Sequence, residues 1–108
     1  MPQKILITKY NYNLSHSEFR DLLSTVAGDF AKVPGCQWKI WVIDEEKKEG
    51  GAVYLFKDEK ALEDFKVSSL VQGVLSHPAL SNFDLRETDI VKEPSVITNA
   101  PILETVAS

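Results

Sequence analysis

Four strand-like runs, broken by two amphipathic helical stripes and one short charged turn, predict an α+β fold of ferredoxin-like βαββαβ order. The expected architecture is a four-stranded antiparallel sheet with its helices on one face. Three observations carry this reading. β-Branched and aromatic residues concentrate in short runs of alternating parity, apolar residues recur at three- and four-residue steps between them, and Pro-Gly and Gly-Gly pairs fall at the joins.

The first strand is read over Lys4 to Tyr12, with Ile5 and Ile7 on one parity and Leu6, Thr8, Tyr10 and Tyr12 on the other. Ser15-His16-Ser17-Glu18 then has capping-box spacing, in which the serine hydroxyl and the glutamate carboxylate satisfy free amides at a helix start. The helix that follows carries Phe19, Leu22, Leu23, Val26, Ala27, Phe30 and Ala31 as one apolar stripe. Pro34-Gly35 ends it and turns the chain into a hairpin. Its first arm runs through Trp38-Lys39-Ile40-Trp41-Val42-Ile43 and its second through Ala52-Val53-Tyr54-Leu55-Phe56. The tip, Asp44 to Glu49, is too polar to bury and is closed by Gly50-Gly51.

Asp58 is the expected N-cap of a second helical region, drawn as two pieces, Asp58 to Lys66 and Ser69 to Ser76, because Ser68-Ser69 and Gly73 interrupt the pattern. His77-Pro78 ends it. A fourth strand follows over Phe83 to Ile90, charged on both parities as suits a sheet edge. From Lys92 onward Pro94 and Pro101 interrupt the chain, which reads as an arm laid on a surface. One domain is expected over 1–108, with its core at about 3–91 and the arm at 92–108.

Composition narrows the function. The chain has 108 residues, 44% of them hydrophobic and 26% charged, and a formal net charge of −4. Its acidic balance and its lysines interspersed with acids argue against a nucleic-acid surface. A single cysteine, Cys36, forms no internal disulfide and no cysteine-based metal cluster; it reads as a small buried thiol. His16 and His77 lie far apart without a closely spaced carboxylate, so no metal motif is recognised, and no P-loop or dinucleotide fingerprint is present. No run approaches the roughly 20 apolar residues of a membrane span, and the start lacks the apolar core of a signal peptide. The expectation is a soluble cytoplasmic protein with no membrane and no nucleic-acid partner.

Both parities of the first three strands are apolar: Ile5, Ile7, Trp38, Ile40, Val53 and Leu55 are matched by Leu6, Tyr10, Trp41, Ile43, Tyr54 and Phe56. A sheet with one wet face alternates more cleanly. Helices on one face leave the other without cover, and a two-fold copy of the same chain is the usual solution for so small a protein. A homodimer is therefore expected.

Three segments carry a resemblance that spans about residues 3 to 102. They are Pro34-Gly35-x-x-Trp38-Lys39-x-Trp41, the stretch from Gly50-Gly51 through Tyr54-Leu55-Phe56 to Asp58-Glu59-Lys60, and Val91-x-Glu93-Pro94-Ser95. Together they resemble the YdhR-type monooxygenase family of the dimeric α+β barrel superfamily. The resemblance implies a ferredoxin-like protomer whose sheet packs against that of a second copy, and chemistry like that of cofactor-independent monooxygenases acting on electron-rich aromatics. No cofactor or metal is implied, because in that chemistry the substrate supplies the electrons.

Such chemistry asks the protein for an apolar cavity, a proton acceptor and donors for a developing oxyanion. Trp38, Trp41, Tyr54 and Phe56 are candidate walls, although aromatic residues on strands also serve as ordinary core. Tyr54 is the preferred oxyanion donor, with Tyr10 and Tyr12 as alternatives. His16 and His77 are candidate proton acceptors, since histidine alone has an unperturbed pKa near neutrality. Lys39 and Arg86 are candidates to hold a substrate anion. The competing reading is a non-catalytic dimer whose cavity binds a hydrophobic small molecule.

Overall fold

The computed structural model describes residues 2–102. Its elements are β1 (Lys4–Tyr12), α1 (His16–Ala31), β2 (Cys36–Asp44), β3 (Glu49–Phe56), α2 (Glu59–Lys66), α3 (Ser69–Leu75), β4 (Leu80–Asp89) and α4 (Lys92–Ile97). The strands form one antiparallel sheet in the order β2-β3-β1-β4. This is the ferredoxin-like arrangement.

Local chemistry explains the boundaries. At the start of α1 the Ser15 hydroxyl accepts from the Glu18 amide and the Glu18 carboxylate accepts from the Ser15 amide, both at 3.1 Å. Each free amide of the first turn that gains an acceptor removes an unsatisfied donor, and a good N-cap is worth about 1 kcal/mol. The turn into β2 needs glycine at position 35, where φ is +77° and a Cβ would stand 2.5 Å from that of Ala61. Ser68 separates α2 from α3: its hydroxyl donates to the Phe65 carbonyl at 2.6 Å and accepts from the Val71 amide at 3.4 Å. The hairpin tip is tied back to the end of β1, where the Lys48 carbonyl accepts from the Tyr12 amide at 3.0 Å.

The helix-side face of the sheet and the helices bury one cluster that includes Leu6, Phe30, Tyr54, Phe56, Leu62 and Phe65. Full burial of a side chain such as Phe56 or Leu62 contributes about 1.5–3 kcal/mol. The opposite face carries Trp38, Ile40 and Val42 of β2, paired with Val53 and Leu55 of β3 and, beyond them, Ile5 and Ile7 of β1. Ile40 is 52% exposed there, Val42 46% and Ile7 39%.

Two features differ from the sequence expectation. β4 begins at Leu80, three residues early, because Leu80 and Ser81 pair with Tyr12 and Asn11 beyond an irregularity in the β1–β4 ladder. Residues 92–97 form the short helix α4 where only an arm was expected. Pro94 sits in its first turn, where a missing N–H costs no helical hydrogen bond, so it does not break the helix. Between α4 and the last described residue the chain touches β2 and the residue before β1. The Trp38 indole donates to the Pro101 carbonyl at 2.7 Å, the Gln3 amide donates to the Ile102 carbonyl at 2.8 Å, and Ile102 is buried. Residues 103–108 of the arm lie outside the described residues. Among the described residues no helix is long and apolar enough to cross a membrane.

Candidate active site

A cavity of about 290 Å³ opens between the helix-side face of the sheet and the inner faces of α1 and α3. Its walls follow from strand parity. β1 contributes Thr8 and Tyr10, β2 Lys39 and Trp41, and β3 Ala52 and Tyr54, while α1 supplies Leu22, Val26 and Phe30. α3 closes the far side with Leu70 and Val74, and β4 adds Phe83 and Leu85. No carboxylate lines it among the described residues.

Among the described residues Lys39 is the one lysine or arginine in this lining. Its Nζ lies 3.4 Å from the ring centroids of Phe30 and Trp41 and 4.5 Å from that of Tyr54. The two nearer rings meet edge to face, with centroids 5.3 Å apart, so the amine sits in the corner they make. Two effects oppose each other here. Burial pushes the Lys39 pKa down from 10.5 to about 7, with the neighbouring Cys36 acting weakly the other way. The ring faces favour the ammonium form by their quadrupoles, worth about 0.5–2 kcal/mol each. Burial also raises Tyr54, with Tyr10 and Cys36 adding to it, and raises Tyr10 to about 12. Both phenols therefore keep their protons at neutral pH and are donors to anything in the cavity.

The structure brings five of the sequence-derived candidates to this cavity: Tyr54, Tyr10, Trp41, Lys39 and His77. The His77 Nδ1 accepts from the Ala79 amide at 3.1 Å, which leaves Nε2 for another partner. The other five stand apart from the lining, Tyr12 among them with its ring stacked on that of Phe19 at 3.9 Å. Trp38 is on the opposite face, held to Pro101 by its indole nitrogen. Phe56 is fully buried in the core, stacked on Tyr54 at 5.8 Å. His16 lies at the start of α1, its Nδ1 2.9 Å from the Tyr12 hydroxyl and 3.7 Å from the Glu45 carboxylate. Arg86 pairs with Ile7 across the ladder on the opposite face, its Nε 3.4 Å from Asp84.

Sequence reasoning assigned Phe30 to the buried stripe of α1 without seeing that its ring would cap Lys39. The available signal was the stripe itself, which turns Phe30 toward the sheet. Among the described residues no group of three His, Cys, Asp or Glu side chains is placed to hold a metal ion.

Solved structures share the fold at low sequence identity. SnoaB from Streptomyces nogalater, described as a cofactor-independent oxygenase, superposes with a TM-score of 0.69 at 14% identity, covering 85% of this chain and 96% of that one. A putative antibiotic biosynthesis monooxygenase from Deinococcus radiodurans gives 0.66 at 14% identity, with 81% and 91% covered. A Shewanella oneidensis protein gives 0.69 at 12% identity, with 82% and 91% covered. At such identities the likeness speaks for the fold. A comparison with curated proteins finds no match. The family model described as "Putative mono-oxygenase ydhR" matches residues 5–101, nearly the whole chain, and the protein belongs to that family.

Proposed function

We propose that the protein is a cofactor-independent monooxygenase that oxidises a small electron-rich aromatic compound in the cavity between sheet and helices. The observation that carries this reading is the combination of a half-open apolar chamber with an amine and two proton-bearing phenols among its walls. Membership of a mono-oxygenase family supports the reaction class.

In this reading the substrate ring lies against Trp41 and Phe30, and the hydroxyl of Tyr54 donates to its oxygen. Lys39 offers a positive charge to the substrate anion, and His77 stands in the wall as a second proton-transfer group. Deprotonation gives an anion that passes an electron to dioxygen. Recombination of the resulting pair forms the carbon–oxygen bond of a peroxide; its O–O bond then breaks as the same carbon gives up its remaining hydrogen, leaving a carbonyl and releasing the second oxygen as water, so all the electrons come from the substrate. Oxygen uptake with a panel of hydroxylated aromatics tests the proposal directly. Tyr54→Phe keeps the ring that packs on Phe56 and removes only the donor, so turnover is expected to fall by ~10²-fold with the fold intact. Saturable binding of the same compounds with no oxygen uptake would favour the non-catalytic binder instead.

The assembly we propose is a homodimer joined through the open sheet face, since Ile7, Ile40 and Val42 expose apolar side chains side by side. Light scattering at micromolar concentration should give about twice the 12.1 kDa chain mass. Ile40→Glu would place an unpaired charge in such an interface and should shift the protein toward monomer. A well-folded wild-type monomer at that concentration would refute the assembly.

A further inference from the structure

We infer that Lys39 is the proton acceptor of this cavity, and that the cavity selects flat, acidic hydroxyl compounds, such as enolised 1,3-dicarbonyls, and holds each as its anion. The inference rests on the reading of this cavity as the substrate site, and it names both the base and the acidity of what it takes.

The geometry sets a buried amine against three aromatic rings with no carboxylate in the lining among the described residues. Such an amine lacks an internal counter-ion, and burying a lone charge is costly. The other titratable groups around it are accounted for. Tyr54 on β3 and Tyr10 on β1 carry protons that burial holds in place. Cys36, on the same strand, donates its thiol to the Trp38 carbonyl and is itself raised by burial. His77, after α3, accepts the Ala79 amide on Nδ1. α1 contributes only apolar residues to the wall, α2 contributes Phe65, and α3 contributes Ser69 as its one polar side chain. On β4, Asp84 and Arg86 lie on the opposite face and Glu87 pairs with Lys66.

A neutral acid entering beside a neutral amine brings no charge into the apolar chamber. Transfer then breaks the O–H bond and places the proton on the lone pair of Lys39 Nζ, while the electron pair stays on oxygen. No electron changes hands in this step. The ammonium so formed rests on the faces of Phe30, Trp41 and Tyr54 and pairs with the anion it created. Acidity is selected because the empty-site amine titrates near 7. A hydroxyl ionising near 10, like that of an ordinary phenol, lies about three decades too high for ready transfer, so within the electron-rich aromatics proposed above the site takes those whose hydroxyl is acidified by a conjugated carbonyl, as in a ring-fused enolised dicarbonyl.

The probe is 4-nitrophenol, whose anion alone is yellow and whose hydroxyl ionises near neutrality. At pH 6, where the free probe is mostly colourless, wild-type protein should bind it as the yellow anion and unsubstituted phenol at least tenfold more weakly. Lys39→Met should bind it colourless. Above pH 7 wild-type affinity should fall about tenfold per pH unit, because the bound pair holds one proton that the free amine and free anion both lack. Lys39→Arg, a charge that gives up no proton, should hold its affinity level over that range. Colourless binding by the wild type, or yellow binding by Lys39→Met, would overturn the assignment, the second result moving the base to His77. A level alkaline limb in the wild type would reduce Lys39 to a fixed cation and also overturn it. A yellow complex with no oxygen uptake from any substrate would leave the base in place and remove the monooxygenase reading.

Discussion

Lys39→Met is expected to stabilise the empty protein by about 1–3 kcal/mol at pH 7 and to remove a pH dependence that the wild type carries. The folded-state pKa of Lys39 is about 7 and its ordinary value is 10.5. Between those values the unfolded chain holds a proton that the folded chain lacks, so wild-type stability rises with pH across the window. Below pH 7 both states are protonated and the cost of burying the ammonium is at its full value; at pH 7 the folded amine is half protonated and the cost is close to that value. Methionine has nearly the same length and no charge, so it leaves the rings packed and carries no such cost. The ring contacts offset part of the burial penalty, which keeps the expected gain below the full linkage figure. Urea unfolding of both proteins at pH 7 and pH 10 checks this. The difference between them isolates Lys39 from the titrating tyrosines they share, and equal stability changes in the two proteins would refute a buried amine. A residue that costs stability while facing a cavity is the mark of a position kept for function.

Gly51→Ala is expected to destabilise the fold by about 3 kcal/mol or more, the upper end of what overpacking costs. A Cβ at position 51 would stand 2.1 Å from the Thr8 carbonyl oxygen and 3.3 Å from the Lys9 Cα. Those atoms are backbone of β1, the central strand that pairs with both β3 and β4. No rotamer change can relieve the clash, so β1 and β3 must separate where Lys9 pairs with Gly51. Gly28→Ala is the matched control, since its Cβ would meet nothing within 4 Å and alanine is the better helix former. Thermal unfolding of the two variants should move in opposite directions. A Gly51→Ala protein as stable as the wild type would show that the strands do not approach so closely.

The elements of this chain were legible because their signals are local. The Ser15–Glu18 capping box, the apolar stripe of α1, the Pro34-Gly35 stop, the Asp58 cap and the Ser68 break each act within a few residues, and each stands where its chemistry places it. Edge placement of β4 was equally readable, because charges on both parities suit a strand with one open side. The short helix α4 was not, since a proline reads as a breaker until its position in the first turn is known.

What a strand cannot announce is which of its two faces meets the helices. Trp38 and Trp41 have opposite parity, and nothing in the sequence says which one points to the cavity. The tertiary structure decides it through the unbroken ladder that runs from Asp44–Glu49 at the hairpin tip to Trp38–Leu55 and sets Lys39 opposite Tyr54 and Trp41 opposite Ala52. Lys39 and Trp41 thereby join the chamber, and Trp38 goes to the other side to meet Pro101. The cage around Lys39 likewise needs Phe30 from α1, Trp41 from β2 and Tyr54 from β3, three rings that converge only when helix and sheet pack. The sequence by itself determined which residue types and periodicities were available to build a chamber. Register and packing decided which of them face it, because a one-residue slip reverses every side chain on a strand while leaving its composition unchanged.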